Sequence, residues 1–351
     1  LVVLIIVMAI TITALGFVSQ SDVELACGQN MVLHRQMDYL AESGLEHARG
    51  LILNPQDIAA PDEYWKGGTN LQLTSGSDYY DVVVTRNDLC NYIIDCDSYR
   101  MKDTERIGFS SLRAELRLDP CIAYWVGSST TVSSNMNIKG DVYCDGTLTN
   151  NGIINGDAFA ARTITGTNIT GKKNESVASA PVAWPNLTVA DVGPTYYLID
   201  PNTPLIPSVY PARVYYSMGD ISMPGNVTIN GTLVVGGKLT VSGPNNVIAA
   251  VKNFPALLVG GQVLMKDASS LVVNGLAQIE QQIAVDPNTT NTACIDVTGA
   301  LFIHRDGVTS PSITVNVTAA PAVASIEVSP GGVSRRWGPA AGAFFKSIKR
   351  E

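Results

Sequence analysis

A chain of 351 residues is long enough for two or three domains with real cores. With 15% charged residues and 31 glycines it reads as strands and tight turns, which argues against a soluble helical enzyme. A net charge of −8 argues against a nucleic-acid partner, which calls for a basic face. The charge is unevenly spread: Arg335, Arg336, Lys346, Lys349 and Arg350 against Glu351 put +4 on the segment 335–351 and leave −12 on the remainder. Such a tail either docks on the acidic body or on a neighbour, or frays into solvent.

The opening run LVVLIIVMAITITALGFVSQS, from Leu1 to Ser21, carries no charge. About 20 apolar residues at 1.5 Å each cover a bilayer core of roughly 30 Å, so this run is expected to span a membrane. Asp22 and Glu24 mark its exit into water. No proline follows until Pro55, and Leu33, Met37, Leu40, Ala41, Gly44, Ala48, Leu51 and Ile52 recur at three- and four-residue steps. That spacing places them on one face of a continuing helix. Residues 1–54 are therefore predicted as one rod, about 80 Å long, half facing lipid and half docked on a domain. Gly16, the only glycine of the apolar half, is its expected soft point. The stretch lacks the basic start, short apolar core and small-residue cleavage site of a removable signal peptide. A simple anchor followed by an unrelated helix stays open, because hydropathy does not separate lipid from a packed protein core.

The run Tyr39-Leu40-Ala41-Glu42-Ser43-Gly44-Leu45-Glu46, with His47 and Ala48 after it, resembles the signature of type IV pilins and type II secretion pseudopilins, most closely minor pilins of the PilX type. The resemblance runs from Leu1 to about Pro55. It implies a subunit held in the inner membrane before assembly, then extracted by the pilus or secretion machinery into a helical homopolymer with rods bundled at its axis. In this chain Leu1 stands where phenylalanine is usual, and Ile5 where most pilins carry a glutamate that neutralises a neighbour's amino terminus. Lack of that carboxylate is a feature of some tip pseudopilins, so shaft and tip roles both stay open.

Pro55 to Pro61 reads as a connector. In residues 55–126 the pattern turns to period-two alternation, clearest at Leu112-Arg-Ala114-Glu-Leu116-Arg-Leu118. Three to five antiparallel strands are expected, their apolar face covered by the amphipathic half of the rod. The fold class is thus α+β: a long helix on a small antiparallel sheet, followed by a parallel β-solenoid over residues 127–310. The solenoid rests on a hexad, two apolar positions and one glycine every six residues, at Gly225, Gly231, Gly237 and Gly243 and earlier at Gly140, Gly146 and Gly152. Strand plus glycine corner is how one face of a β-helix is written, and three faces close a rung of roughly 18 residues. A meander of hairpins is the rival, since Asn230-Gly231 and Gly236-Gly237 also suit two-residue turns. Through the hexad the region also resembles bactofilin-like polymer-forming β-helices. Residues 172–211 are expected as a surface excursion, and 311–351 as a C-terminal extension.

Six cysteines, no CxxC and only three histidines exclude a zinc pattern, and no metal or cofactor is expected. With the head outside the inner membrane, disulfides become expected: Cys90 with Cys96 across a short loop, and Cys121 with Cys144. Cys27, on the rod, reads as a small buried packing residue. Parallel β-helices also host carbohydrate-active enzymes, whose carboxylates would be sought among Asp141, Asp145 and Asp157; an Asp beside a glycine corner is ordinary turn chemistry. His304-Arg305-Asp306 is a polar cluster at a strand end. No nucleophile elbow, phosphate-binding glycine loop or HExxH occurs, so no enzyme is expected. Sequons at Asn168, Asn174, Asn186, Asn226, Asn230, Asn288 and Asn316 are glycosylation candidates.

Overall fold

The computed structural model describes residues 1–59, 62–192, 196–329 and 334–350; the connector's end at Pro61 and the terminal Glu351 lie outside them. Helix α1 (Val2–Leu53) is unbroken, as a proline-free run allows. Its second half buries Met37, Leu40, Ala41, Gly44, Leu45, Ala48 and Ile52. These pack on a sheet of strands β1 (Gly67–Leu71), β2 (Asp78–Asp88), β3 (Asn91–Lys102) and β4 (Glu105–Leu118), paired in that order and antiparallel, chiefly against β2, β3 and β4. Gly44 is where helix and sheet come closest. A Cβ there would lie 2.4 Å from Cys96 Sγ and 2.9 Å from Tyr80 Cδ2, so only glycine fits. Arg100 clamps the edge, donating to Asp78 at 2.5 Å and to Gln36 of the helix at 3.0 Å. Its guanidinium holds the Asp78 carboxyl below the usual carboxylate range.

The sheet's fifth strand is Ala343–Arg350, laid antiparallel along β4. The basic tail therefore docks on the body. Arg350 meets Asp38 at 2.9 Å, Arg336 meets Asp57 at 2.7 Å, and Arg335 meets Asp191 at 2.8 Å. Asp38 is 7% exposed and also accepts from Ser110 at 2.8 Å, which places a charge pair at the helix–sheet boundary.

The disulfide expectation needs correction. Cys90 bonds to Cys121, with Cα atoms 6.4 Å apart. Residues 91–96 are extended β3, so Cys90 and Cys96 lie roughly 20 Å apart, and a disulfide demands Cα atoms within about 7 Å. Cys96 instead packs under Gly44, and Cys144 points into the solenoid with Sγ 3.0 Å from the Ser128 carbonyl; both are free and buried. Cys27 is exposed on the rod.

The remainder is a parallel solenoid, not a hairpin meander. Ile221 aligns with Leu239 and Thr130 with Leu148, each pair three hexads apart along the chain. The apolar hexad positions Ile221, Met223, Val227, Ile229, Leu233, Val235, Leu239 and Val241 are all buried. Glycine fits the corners for lack of room: at Gly299, φ +142°, a Cβ would lie 2.1 Å from the Gly275 carbonyl oxygen of the rung beneath.

Rung order does not follow chain order. Ile122–Val126, Asp141–Cys144, Ala158–Ala160 and Lys173–Asn174 wind toward one end. The chain then crosses the outside of the stack and restarts at the opposite end with Tyr197–Leu198, against which Val209–Ser217 is laid in parallel. It winds back until Ala293–Ile303 pairs with Ile122–Val126, and Ile313–Ala319 with Met136–Lys139. Residues 311–351 are thus no extension: they supply a solenoid strand and a sheet strand. The crossing strap is no loose excursion either. Val182, Leu187 and Val192 are buried, and Gln278 holds the Leu187 backbone, accepting from its N–H at 3.0 Å and donating to its carbonyl at 3.1 Å. Trp125, Trp184, Phe302 and Trp337 fill a second core beneath it.

Candidate functional site

Two surfaces stand out. The first is the rod. Residues 1–32 are exposed throughout although Leu1, Ile5, Ile6, Ile10, Leu15 and Phe17 are among them, and α1 is long and apolar enough to cross a membrane. Thr11 and Thr13 donate to the carbonyls of Val7 and Ala9 at 2.8 and 2.7 Å, so their hydroxyls are satisfied within the helix, as an apolar surrounding requires. Gly16 has open space around it, Asp22 is exposed, and Glu24 accepts from Gln20 at 3.2 Å. In the signature, Leu40, Ala41, Gly44 and Leu45 are the buried contacts. Tyr39 and Glu42 face outward, and Glu46 pairs with Arg49 at 3.1 Å.

The second surface was not read from the sequence. On the solenoid face away from the strap, each strand has two inward side chains and one outward between them. The outward series runs Ser222, Thr240, Leu264, Ala284, then Thr131, Thr149, Thr165, in lateral register within each group and without a charge. At one end it widens into three rows: Ser129-Thr131-Ser133, Thr147-Thr149-Asn151 and Thr163-Thr165-Thr167. Thr165 Oγ1 lies 3.3 Å from Thr149 Oγ1, and Thr163 Oγ1 lies 3.5 Å from Thr147 Oγ1. The available signal was a threonine at the middle of one hexad per rung, at Thr131, Thr149 and Thr165.

Two of the three carboxylates weighed for catalysis, Asp141 and Asp157, hold backbone N–H groups and Arg117. Asp141 is 1% exposed and accepts the N–H groups of Cys121 and Asp157 at 2.7 and 2.8 Å. Asp157 accepts the Lys172 N–H at 2.7 Å, and Arg117 of β4 reaches both carboxylates at 3.3 Å. Burial pushes the Asp141 carboxyl above its ordinary range, against the backbone N–H groups and Arg117. The cluster ties solenoid corners to the sheet, while Asp145 stands apart and exposed. His304 pairs with Glu280 at 2.9 Å and stacks on Trp184 with ring centroids 4.8 Å apart; Arg305 and Asp306 are exposed. Among the sequons, Asn168, Asn186, Asn226, Asn230 and Asn288 are exposed or half-buried, Asn174 is half-buried, and Asn316 donates to Asp296 at 2.7 Å.

No protein-family model and no curated protein matches the chain. Among solved structures it is similar to the DUF3494 domain of Shewanella frigidimarina ice-binding protein 1, at 17% identity over 57% of this chain and 95% of that one, with a TM-score of 0.33. It is also similar to the competence-associated pilin ComZ from Thermus thermophilus, at 10% identity over 91% of this chain and 97% of that one, with a TM-score of 0.23. The architecture itself is a long N-terminal helix docked on a small antiparallel sheet, carrying a parallel β-solenoid.

Proposed function

We propose that the chain is a structural, non-catalytic subunit of an extracellular, type IV pilus-like filament on a bacterial surface. Its rods would bundle in the filament core, with the sheet and solenoid outside. The observation that carries this reading is the uncovered apolar rod, which nothing among the described residues shields from water. Bilayer lipid satisfies it before assembly and sister rods after extraction, through close packing of apolar side chains. Assembly would require the inner-membrane pilus or secretion machinery. A tip subunit that primes assembly is the alternative, motivated by Ile5. Electron microscopy of the native material is expected to show a regular fibre built mainly of this chain, and Leu15→Arg is expected to abolish it while leaving the head folded. Lone detergent-bound particles alone would refute the filament, and a fibre with only a few copies at its end would select the tip role.

The uncharged threonine face favours a second reading for the solenoid, as a surface that binds ice, the ligand named for the Shewanella protein. Rows about 4.8 Å apart, with outward side chains about 6.7 Å apart along each strand, offer a flat periodic array that ordered water can match. Thr149→Tyr is expected to remove inhibition of ice recrystallisation without unfolding the head. Recrystallisation that proceeds equally with the unmodified chain and with buffer would exclude this reading.

A further inference from the structure

The two solenoid halves join fully on only two of three faces. Gly307–Val308 pairs with Gln282–Val285 but not across the seam, and Thr130–Val132 pairs only with Leu148–Asn150. Between them lies a groove of 510 Å³ lined by Ser129, Thr131, Thr147, Thr149, Thr309 and Asp306, a volume typical of small-ligand sites. Beneath it two buried hydroxyls, Thr130 Oγ1 and Tyr124 Oη, lie against each other under Gly307, where a Cβ would lie 2.6 Å from the first and 3.0 Å from the second. The hydrogen-bonding capacity the groove offers a ligand is therefore that of its outward hydroxyls and of Asp306. The exposed Asp306 carboxylate forms no ion pair among the described residues.

We propose that this seam groove binds a neutral oligosaccharide. Sugar hydroxyls donate and accept, as do the lining threonines and serine, and a free carboxylate takes two donors from one ring. The only charge in the groove is negative, which disfavours anionic ligands. The groove lies at the junction of the halves and shares Ser129, Thr131, Thr147 and Thr149 with the threonine rows, adding Asp306 and Thr309, whereas the filament reading uses the rod.

The test is calorimetric titration of the full chain in detergent with cellohexaose, maltohexaose and chitohexaose. At least one should bind, and Asp306→Ala and Thr147→Val should each weaken it about tenfold or more. Thr240→Val, on a distant rung of the same face, should leave it unchanged. No binding of any of the three at millimolar concentrations overturns the proposal. So does binding indifferent to Asp306→Ala, or weakened equally by Thr240→Val, which would put the sugar on the open face.

Discussion

Phe302→Ala is expected to lower stability by about 3–5 kcal/mol, the range for deleting a fully buried phenylalanine, and to detach the strap from the solenoid. Phe302 has no exposed surface. Its ring stacks on Trp125 at 5.7 Å and 8°, meets Trp337 edge-on at 5.0 Å, and lies 6.3 Å from Trp184. Those tryptophans come from the first half of the solenoid, from the short strand Arg335–Trp337 and from the strap, so one ring ties three segments remote in sequence. Aromatic pairs add about 0.5–1.5 kcal/mol beyond area burial, which places this site at the upper end of the range. Denaturant titration followed by tryptophan fluorescence should show a lower midpoint and a red-shifted native spectrum. Phe302→Leu, which keeps most of the volume, should retain most of the stability. A change below about 1 kcal/mol with an unaltered spectrum would show that the strap is held by other contacts.

Removing the Cys90–Cys121 bond should have an effect of similar size. The bond closes a loop with a sequence separation of 31, and loop-closure entropy for that length corresponds to about 3–4 kcal/mol. The span includes all of β3 and β4, which lie side by side within the sheet, so reduction should loosen the helix dock before the solenoid. Cys90→Ser with Cys121→Ser should unfold as much earlier as the reduced parent does, and reductant should then have no further effect. Peptide mapping without reduction should recover the 90–121 crosslink with Cys96 and Cys144 unmodified. A 90–96 crosslink would instead mean that β3 is not extended in solution.

The parts legible in the sequence were those written with a local period. The rod's docked face, the alternation of β4 and the glycine hexads each repeat within a few residues, and the helix, the sheet and the inward side chains follow from them. Pairings that depend on which segments meet were not legible. Nothing in Ala343–Arg350 points to β4, and two similar sets of hexads do not reveal that they wind toward each other. The disulfide was misassigned for the same reason: Cys90 and Cys96 are near in sequence, and distance in space was the deciding quantity. The threonine rows occupy the outward position of the same hexads, where a polar residue between two buried ones is also what any solvated strand carries. The seam groove had no sequence signal, since it is a place where pairing stops.

The five-stranded sheet is completed by a strand that returns from far along the chain. Leu118 at the end of β4 faces Ala343 at the start of the last strand, and Cys121 bridges to Ala340. Everything between departs and returns through one narrow doorway. The solenoid is, in effect, a very long hairpin loop, and loop-closure cost grows only with the logarithm of length. A pull along the rod would load the five-stranded sheet first and reach the solenoid through the ties of Arg117 to Asp141 and Asp157 and of Arg336 to Asp57.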